Sequence, residues 1–218
     1  ALHCAARGGH DGICEWLLDK GCDVNGMDKD KYAPLVAACR YGHESTCVLL
    51  LSRGASATLP GLSGNTPLYF AAHNGFASLC KLLIENGALA NVNDKDQYGN
   101  TILGLAAQSG SEEVVNVLLD AGVDINTANS IDSTPLMIAA ESAYFNICKA
   151  LLAKGADLSL VDSLGNSALA TASYAGSLQI CELFVEAGSD VGVVNLKGNT
   201  ALHCATLASQ VSSQMSIV

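Results

Sequence analysis

One leucine-centred motif runs through the whole chain and fixes what it can fold into. The segments ALHCAA at 1, APLVAAC at 33, TPLYFAA at 66, TILGLAA at 101, TPLMIAA at 134, SALATAS at 167 and TALHCAT at 200 align on Leu2, Leu35, Leu68, Leu103, Leu136, Leu169 and Leu202. Their spacings are 33, 33, 35, 33, 33 and 33 residues. A constant period of this size means one small unit repeated, each unable to bury its apolar face alone and therefore stacked on its neighbours. The longer interval falls in NVNDKDQYGN, where two extra polar residues lengthen a surface loop without displacing an apolar slot.

Every unit divides into the same parts. A Thr-Pro or related pair opens a first helix, the hydroxyl residue as N-cap and the proline at the first helical position, where its missing N–H costs nothing. Small pairs follow at Ala5-Ala6, Ala38-Cys39, Ala71-Ala72, Ala106-Ala107, Ala139-Ala140 and Ala172-Ser173, which let neighbouring helices approach closely. Gly9, Gly42, Gly75, Gly110 and Gly176 stand where the first helix must end, a rule that Ala143 breaks. The second helix carries one apolar stripe, as in Ile13, Cys14, Leu17 and Leu18, and stops at Gly21, Gly54, Gly87, Gly122, Gly155 or Gly188. Polar connectors rich in Asn, Asp and Gly then lead to the next Thr-Pro slot and predict protruding β-turns.

Composition narrows the function. The formal charge is −10 with no Lys/Arg cluster, which disfavours nucleic acid and anionic membrane surfaces. No apolar run reaches the 18 or so residues of a membrane-spanning helix, and the N-terminal residues lack the pattern of a signal peptide, so the chain reads as soluble, without direct membrane insertion.

TPLYFAA, the helix-ending glycines, and the GCDVN and GVDIN segments resemble the ankyrin repeat across essentially the whole chain. That resemblance implies an all-α solenoid of helix-turn-helix units with protruding β-turns. Its units are expected at 1–32 (partial), 33–65, 66–100, 101–133, 134–166, 167–199 and 200–218 (partial or degenerate). Lys31 and Asp132 replace the turn glycine kept at Gly64, Gly99, Gly165 and Gly198, so those two turns are expected to be less regular. Ala1 falls in the proline slot, so the chain is expected to be a monomeric piece of a larger protein. After Thr206 the sequence LASQVSSQMSIV is open to two readings, a worn capping helix or a disordered tail.

The nine cysteines invite a metal or redox reading, which the register opposes. Cys14, Cys47, Cys80, Cys148 and Cys181 share one second-helix slot; Cys4 and Cys204 share a first-helix slot with Phe70, Leu105 and Ile138; Cys22 and Cys39 stand where other units carry Ala. These are small core residues, and helices packed about 8–10 Å apart exceed the roughly 4.4–6.8 Å Cα separation of a disulfide. With no CxxC pair, no metal site is expected, and the cysteines point to a reducing compartment, the cytoplasm first with the nucleus left open. His3 and His203 fill the histidine slot of the TPLH motif, and His10 and His43 follow a turn glycine. Cys39 and His43 have the spacing of a nucleophile pair, but Gly42 ends their helix and Cys39 faces the core, so no catalytic residue is assigned. Gly8-Gly9 is a helix terminator and not a phosphate loop. No cofactor is expected.

The resemblance implies a concave groove lined by turn tips and first helices, where residues vary without disturbing the core. The turns contribute Lys29, Asp30, Tyr32, Leu62, Asn65, Gln97, Tyr98, Ile131, Leu164 and Leu196; the first helices contribute Arg40, Tyr41, His73, Asn74, Gln108, Glu141, Ser142 and Tyr174. Because Tyr and Arg are enriched in interface hot spots, Tyr32, Arg40, Tyr41, His73 and Tyr98 place recognition on the second to fourth units; the plain alternative is that they are solvated surface. The expected function is a non-catalytic scaffold in signalling or trafficking that binds a protein or peptide, basic in character given the net charge. The alternative is a regulatory segment packing on an enzyme, channel or other domain of the same chain. Asn25 and Asn126 occupy the slot of known asparaginyl-hydroxylase acceptors, with Asn91 weaker; their plainer role is to hydrogen-bond the turn backbone.

Overall fold

The computed structural model describes residues 1–61, 64–89, 92–93 and 95–207. Leu62, Asn91 and the segment 208–218, about which the sequence raised expectations, lie outside that set. Twelve helices pair in chain order: α1 (Leu2–Arg7) with α2 (Asp11–Asp19), α3 (Pro34–Tyr41) with α4 (Glu44–Ser52), α5 (Pro67–His73) with α6 (Ala77–Glu85), α7 (Ile102–Ser109) with α8 (Glu112–Asp120), α9 (Pro135–Glu141) with α10 (Phe145–Ala153), and α11 (Ala168–Tyr174) with α12 (Leu178–Glu186). Residues 201–207 are also helical. First helices stack on first helices and second on second, so each unit touches mainly its neighbours. The only β-bridge among the described residues joins Val161 to Ser167.

The helix starts follow the caps read from sequence. Thr66, Thr101, Thr134 and Ser167 each accept a hydrogen bond from the backbone N–H three residues on, at Tyr69, Gly104, Met137 and Ala170. The core is the expected lattice of small and branched residues: the anchoring Leu35, Leu68, Leu103 and Leu136 are at most 1% exposed, and the Ala pairs beneath them are sealed. Leu202 is the exception at 75% exposed, because no described residue covers its slot. Cys14, Cys47, Cys80 and Cys148 are fully buried, as their shared slot requires. Cys4 is not: it is exposed, in a slot where Ala37, Ile138 and Thr171 are also only half-buried.

The cysteines stay unpaired, but two buried thiols meet. Cys39 and Cys47 belong to paired helices whose side chains converge, and their sulfurs lie 3.5 Å apart, in contact but unbonded. Ser173 and Cys181 repeat that contact in the sixth unit, also at 3.5 Å.

The polar connectors form one turn repeated. The side chains of Asp28, Asp96, Asn129, Asp162 and Asn195 each accept the N–H groups two and four residues ahead, fastening the loop from inside. Lys31 and Asp132 do not loosen their turns. They adopt the left-handed backbone of the glycines they replace, at φ 56° and 58°, and keep the closing bonds to Asp28 O and Asn129 O. The side-chain fastening outweighs the cost of a Cβ there. Ala143 likewise takes φ 56°, so the fifth unit keeps its bend without a glycine.

Candidate partner-binding site

The slot after the first-helix glycine couples units. His43 lies against Gly9, Phe76 against Gly42 and Tyr144 against Gly110, each ring where a Cβ on the glycine would collide. His43 Nε2 also meets Arg7 O at 2.9 Å. These rings and the His3 contact to Tyr32 O, at 2.8 Å, give the histidines structural work.

On the turn side, the sequence-selected aromatics meet partners that pattern reading had assigned elsewhere. Tyr32 packs edge-on to Phe70 with centroids 5.8 Å apart, Phe70 on Tyr69 at 5.2 Å, and Tyr69 stacks on His73 at 6.1 Å. The Arg40 guanidinium sits 5.4 Å above the Phe70 ring. Tyr69 reaches the third turn, where burial, followed by the charge and hydrogen bonding of Asp96, pushes its phenol up to about 12. Tyr98, 66% exposed, caps the same turn. Tyr69 was missed because it fills the histidine slot of the motif; Phe70 is core, 8% exposed, yet offers its ring to Arg40. Sequence alone does not single the pair out, since Tyr144-Phe145 repeats it.

Within the group, Tyr32 is half-buried and rests on Gly61, where a Cβ would lie 1.9 Å from its ring. Tyr41 stacks on His43, centroids 6.5 Å apart, at the far end of α3. Asn74 donates to Arg40 O at 3.2 Å. Gln108 and Glu141 line a cavity of about 110 Å³ between the fourth and fifth units. Tyr174 is exposed on α11. A larger cavity, about 380 Å³, lies under the turns of the second and third units beside Tyr69, Lys95 and Asp96.

Adjacent turns are themselves tied together by backbone bonds: Ser130 N–H to Gly99 O at 2.9 Å, Ser163 N–H to Ile131 O at 3.0 Å, and Leu196 N–H to Leu164 O at 2.9 Å. The tips thus form a continuous edge whose outermost side chains, Tyr98, Ile131, Leu164 and Leu196, are more than half exposed. Asn65, offered as a turn contact, is instead buried, and its Oδ1 has no partner among the described residues.

Asn25 and Asn126 bond backbone, though of the following unit. Asn25 donates to Gly54 O at 3.1 Å and accepts from Ser56 N at 2.8 Å, while Asn126 accepts from Asp157 N at 3.0 Å. The described residues contain no group of three or more His, Cys, Asp or Glu able to hold a metal. Among the described residues, no helix is long and apolar enough to cross a membrane.

With repeat, caps, turns and coupling contacts in place, comparison with known proteins assigns the class. The family model described as "Ankyrin repeats (3 copies)" matches residues 1–61, 55–129 and 136–213, and the chain belongs to the ankyrin repeat family. The ankyrin repeat domain of human ASB11 superposes with a TM-score of 0.83 at 24% identity, 96% of each chain being covered. That of Bcl-3, titled a unique member of the IkappaB protein family, gives 0.82 at 26% identity over 94% of this chain and 92% of that one. No curated protein sequence matches. Ankyrin repeats are in general modules for protein–protein interaction, and their domains are typically non-catalytic scaffolds.

Proposed function

We propose that the chain is a non-catalytic scaffold that binds a protein or peptide segment across its turn tips and first helices, centred on the second to fourth units. The supporting observation is the continuous group of Tyr32, Tyr69, Phe70 and His73 with Arg40 on its face, reaching through Asp96 to exposed Tyr98. Rigid aromatics and an arginine held by stacking lose little entropy on binding, and this is the composition of interface anchors. The setting that fits is a reducing one, cytoplasm or nucleus, in a signalling or trafficking role, since the recurring cysteine slot works as a thiol slot. Asn25 and Asn126 belong to the same proposal as hydroxylase acceptors, their Cβ hydrogens being free of the amide bonds just described.

Affinity capture with the intact chain supplies the partner, and titration with variants tests the site. Truncating Arg40, His73 and Tyr98 to Ala together should weaken binding by at least about 30-fold, the effect of roughly 2 kcal/mol, with the helical signal unchanged. Full affinity in that variant, with binding lost in Glu112→Gln, Glu182→Gln on the second helices, would put the partner on the opposite face.

A further inference from the structure

The cavity of about 110 Å³ between the fourth and fifth units is walled by Leu105, Gln108, Ile131, Ile138 and Glu141. Gly104 also borders it, standing in the slot where other units carry His3, Val36, Tyr69, Met137, Ala170 and His203, so a side chain that fills the space elsewhere is missing here. The floor is apolar: Leu105 is buried and Ile138 half-buried. Ile131, 58% exposed, forms the wall on the turn side, and exposed Glu141 stands on the helix side. The space is therefore a slot between turn and helix, with an apolar strip of Leu105, Ile131 and Ile138, polar groups of Asn100, Thr101, Asn129 and Ser133 beside it, and an anion at one rim.

Among the described residues no cation pairs with Glu141. Glu141 is the only Asp or Glu on any of the six first helices. Among the described residues it makes no ion pair, although exposed carboxylates on the second helices do, Asp120 with Lys154 at 2.8 Å for one. Asp132, next to Ile131, adds a second exposed anion, and the nearby Lys95 ammonium is bonded to Asn129 O at 3.1 Å.

We infer that this cavity receives one lysine or arginine side chain of the bound segment, its methylene stem along Leu105, Ile131 and Ile138 and its cation at Glu141. A long basic side chain is the residue whose stem gains from an apolar slot while its head stays at a hydrated rim. A partner carboxylate at the same place would meet Glu141 and Asp132 at close range and be rejected. The inference rests on the proposed binding surface and adds the chemistry of one contact.

The test is selection from a randomised peptide library displayed on phage against the intact chain, followed by titration of synthetic copies of the selected peptides. The expected result is Lys or Arg enriched at one fixed position. Glu141→Gln should weaken a selected peptide about fivefold at low salt, the upper range for a partly exposed pair. Replacing the basic residue of the peptide by Gln should then cost nothing further in the Glu141→Gln chain, the signature of direct coupling. Peptides whose affinity falls with Tyr98→Ala or Ile131→Ala, yet which show no basic preference or no coupling to Glu141, overturn this inference and leave the binding surface standing. Peptides indifferent to Arg40→Ala, Tyr98→Ala and Ile131→Ala, or no peptides at all, overturn both. Because Glu141 is exposed at a helix end and makes no ion pair among the described residues, Glu141→Gln keeps the fold, which circular dichroism verifies.

Discussion

Ala143 holds a backbone conformation that five sister units assign to glycine, and replacing it should stabilise the chain. Its φ of 56° lies in the left-handed region, beside glycines at 67°, 77°, 76°, 77° and 73° in the equivalent place. A Cβ there costs about 1–2 kcal/mol, while glycine in its place orders a freer chain, at about 0.5–1 kcal/mol. The difference puts Ala143→Gly at about 0.5–1 kcal/mol more stable, and for a chain of this length that is a rise in midpoint of roughly 1–4 °C. Gly176 is the mirror control: no atom lies within 4 Å of a Cβ built on it, so Gly176→Ala should lose about what Ala143→Gly gains. Gly110→Ala should lose more, since its Cβ would stand 2.8 Å from the Tyr144 ring. The assay is urea and thermal unfolding followed by circular dichroism. An Ala143→Gly midpoint below that of the parent, with Gly176→Ala neutral, would refute the backbone argument.

Three other perturbations probe the core. Leu68→Ala and Leu136→Ala, both 1% exposed, should each cost about 2–5 kcal/mol, whereas Leu202→Ala, at 75% exposed, should be close to neutral in the same melts. Thiol titration should find all nine cysteines unpaired, with Cys4 alkylated first and Cys80 and Cys148, whose thiols burial pushes up to about 12, among the last; stoichiometric disulfides would contradict it. Thr46, fully buried in a slot that is Leu79, Val114, Ile147 or Ile180 elsewhere, donates at 2.5 Å to Asp11, and this bond, then one from Ser45, holds the Asp11 carboxyl below its usual range. A depressed carboxylate adds stability above its unfolded value, about 3.9, and that stability is lost as pH falls through the folded one. Thr46→Val should therefore remove that contribution at neutrality, offset in part by the apolar fit of Val in the slot, and flatten the acid limb, so that the two chains converge below about pH 4.

What could be read in the sequence is what the period repeats. The Leu slot recurs seven times, with small pairs, hydroxyl caps and turn glycines in most units, so each position is an average over its sisters, and the helices fell where that average put them. Legibility failed where one unit departs from the others. Lys31 and Asp132 looked like damage to the turns, because the pattern counts glycines but not the side chains of Asp28 and Asn129 that hold those loops shut. Tyr69 and Phe70 were absorbed into motif slots and so left out of the surface they build with Tyr32 and Arg40. Tyr41 met the opposite error, chosen by residue type although it stacks on His43 away from that group. Spacing gives the slot; the contact depends on which neighbour the adjoining unit supplies.

Charge separates in the same way. The net charge of −10 suggested a basic partner, yet the first helices carry only Arg7, Arg40 and Glu141. The second helices hold ten Asp or Glu against Lys81 and Lys149. The acidic surplus thus lies mainly off the proposed binding surface, and two quantities that a single net charge would merge should come apart. Long-range attraction of a basic partner sums over the whole molecule, so the association rate should fall steeply with salt. Glu141→Gln, which removes one unit of ten, should barely change that rate. Contact preference is decided within a few ångströms, so the same substitution should act on the dissociation rate and on the choice of residue at one position of the partner. A Glu141→Gln chain whose association slows as much as its dissociation quickens would mean that the carboxylate steers the partner without touching it.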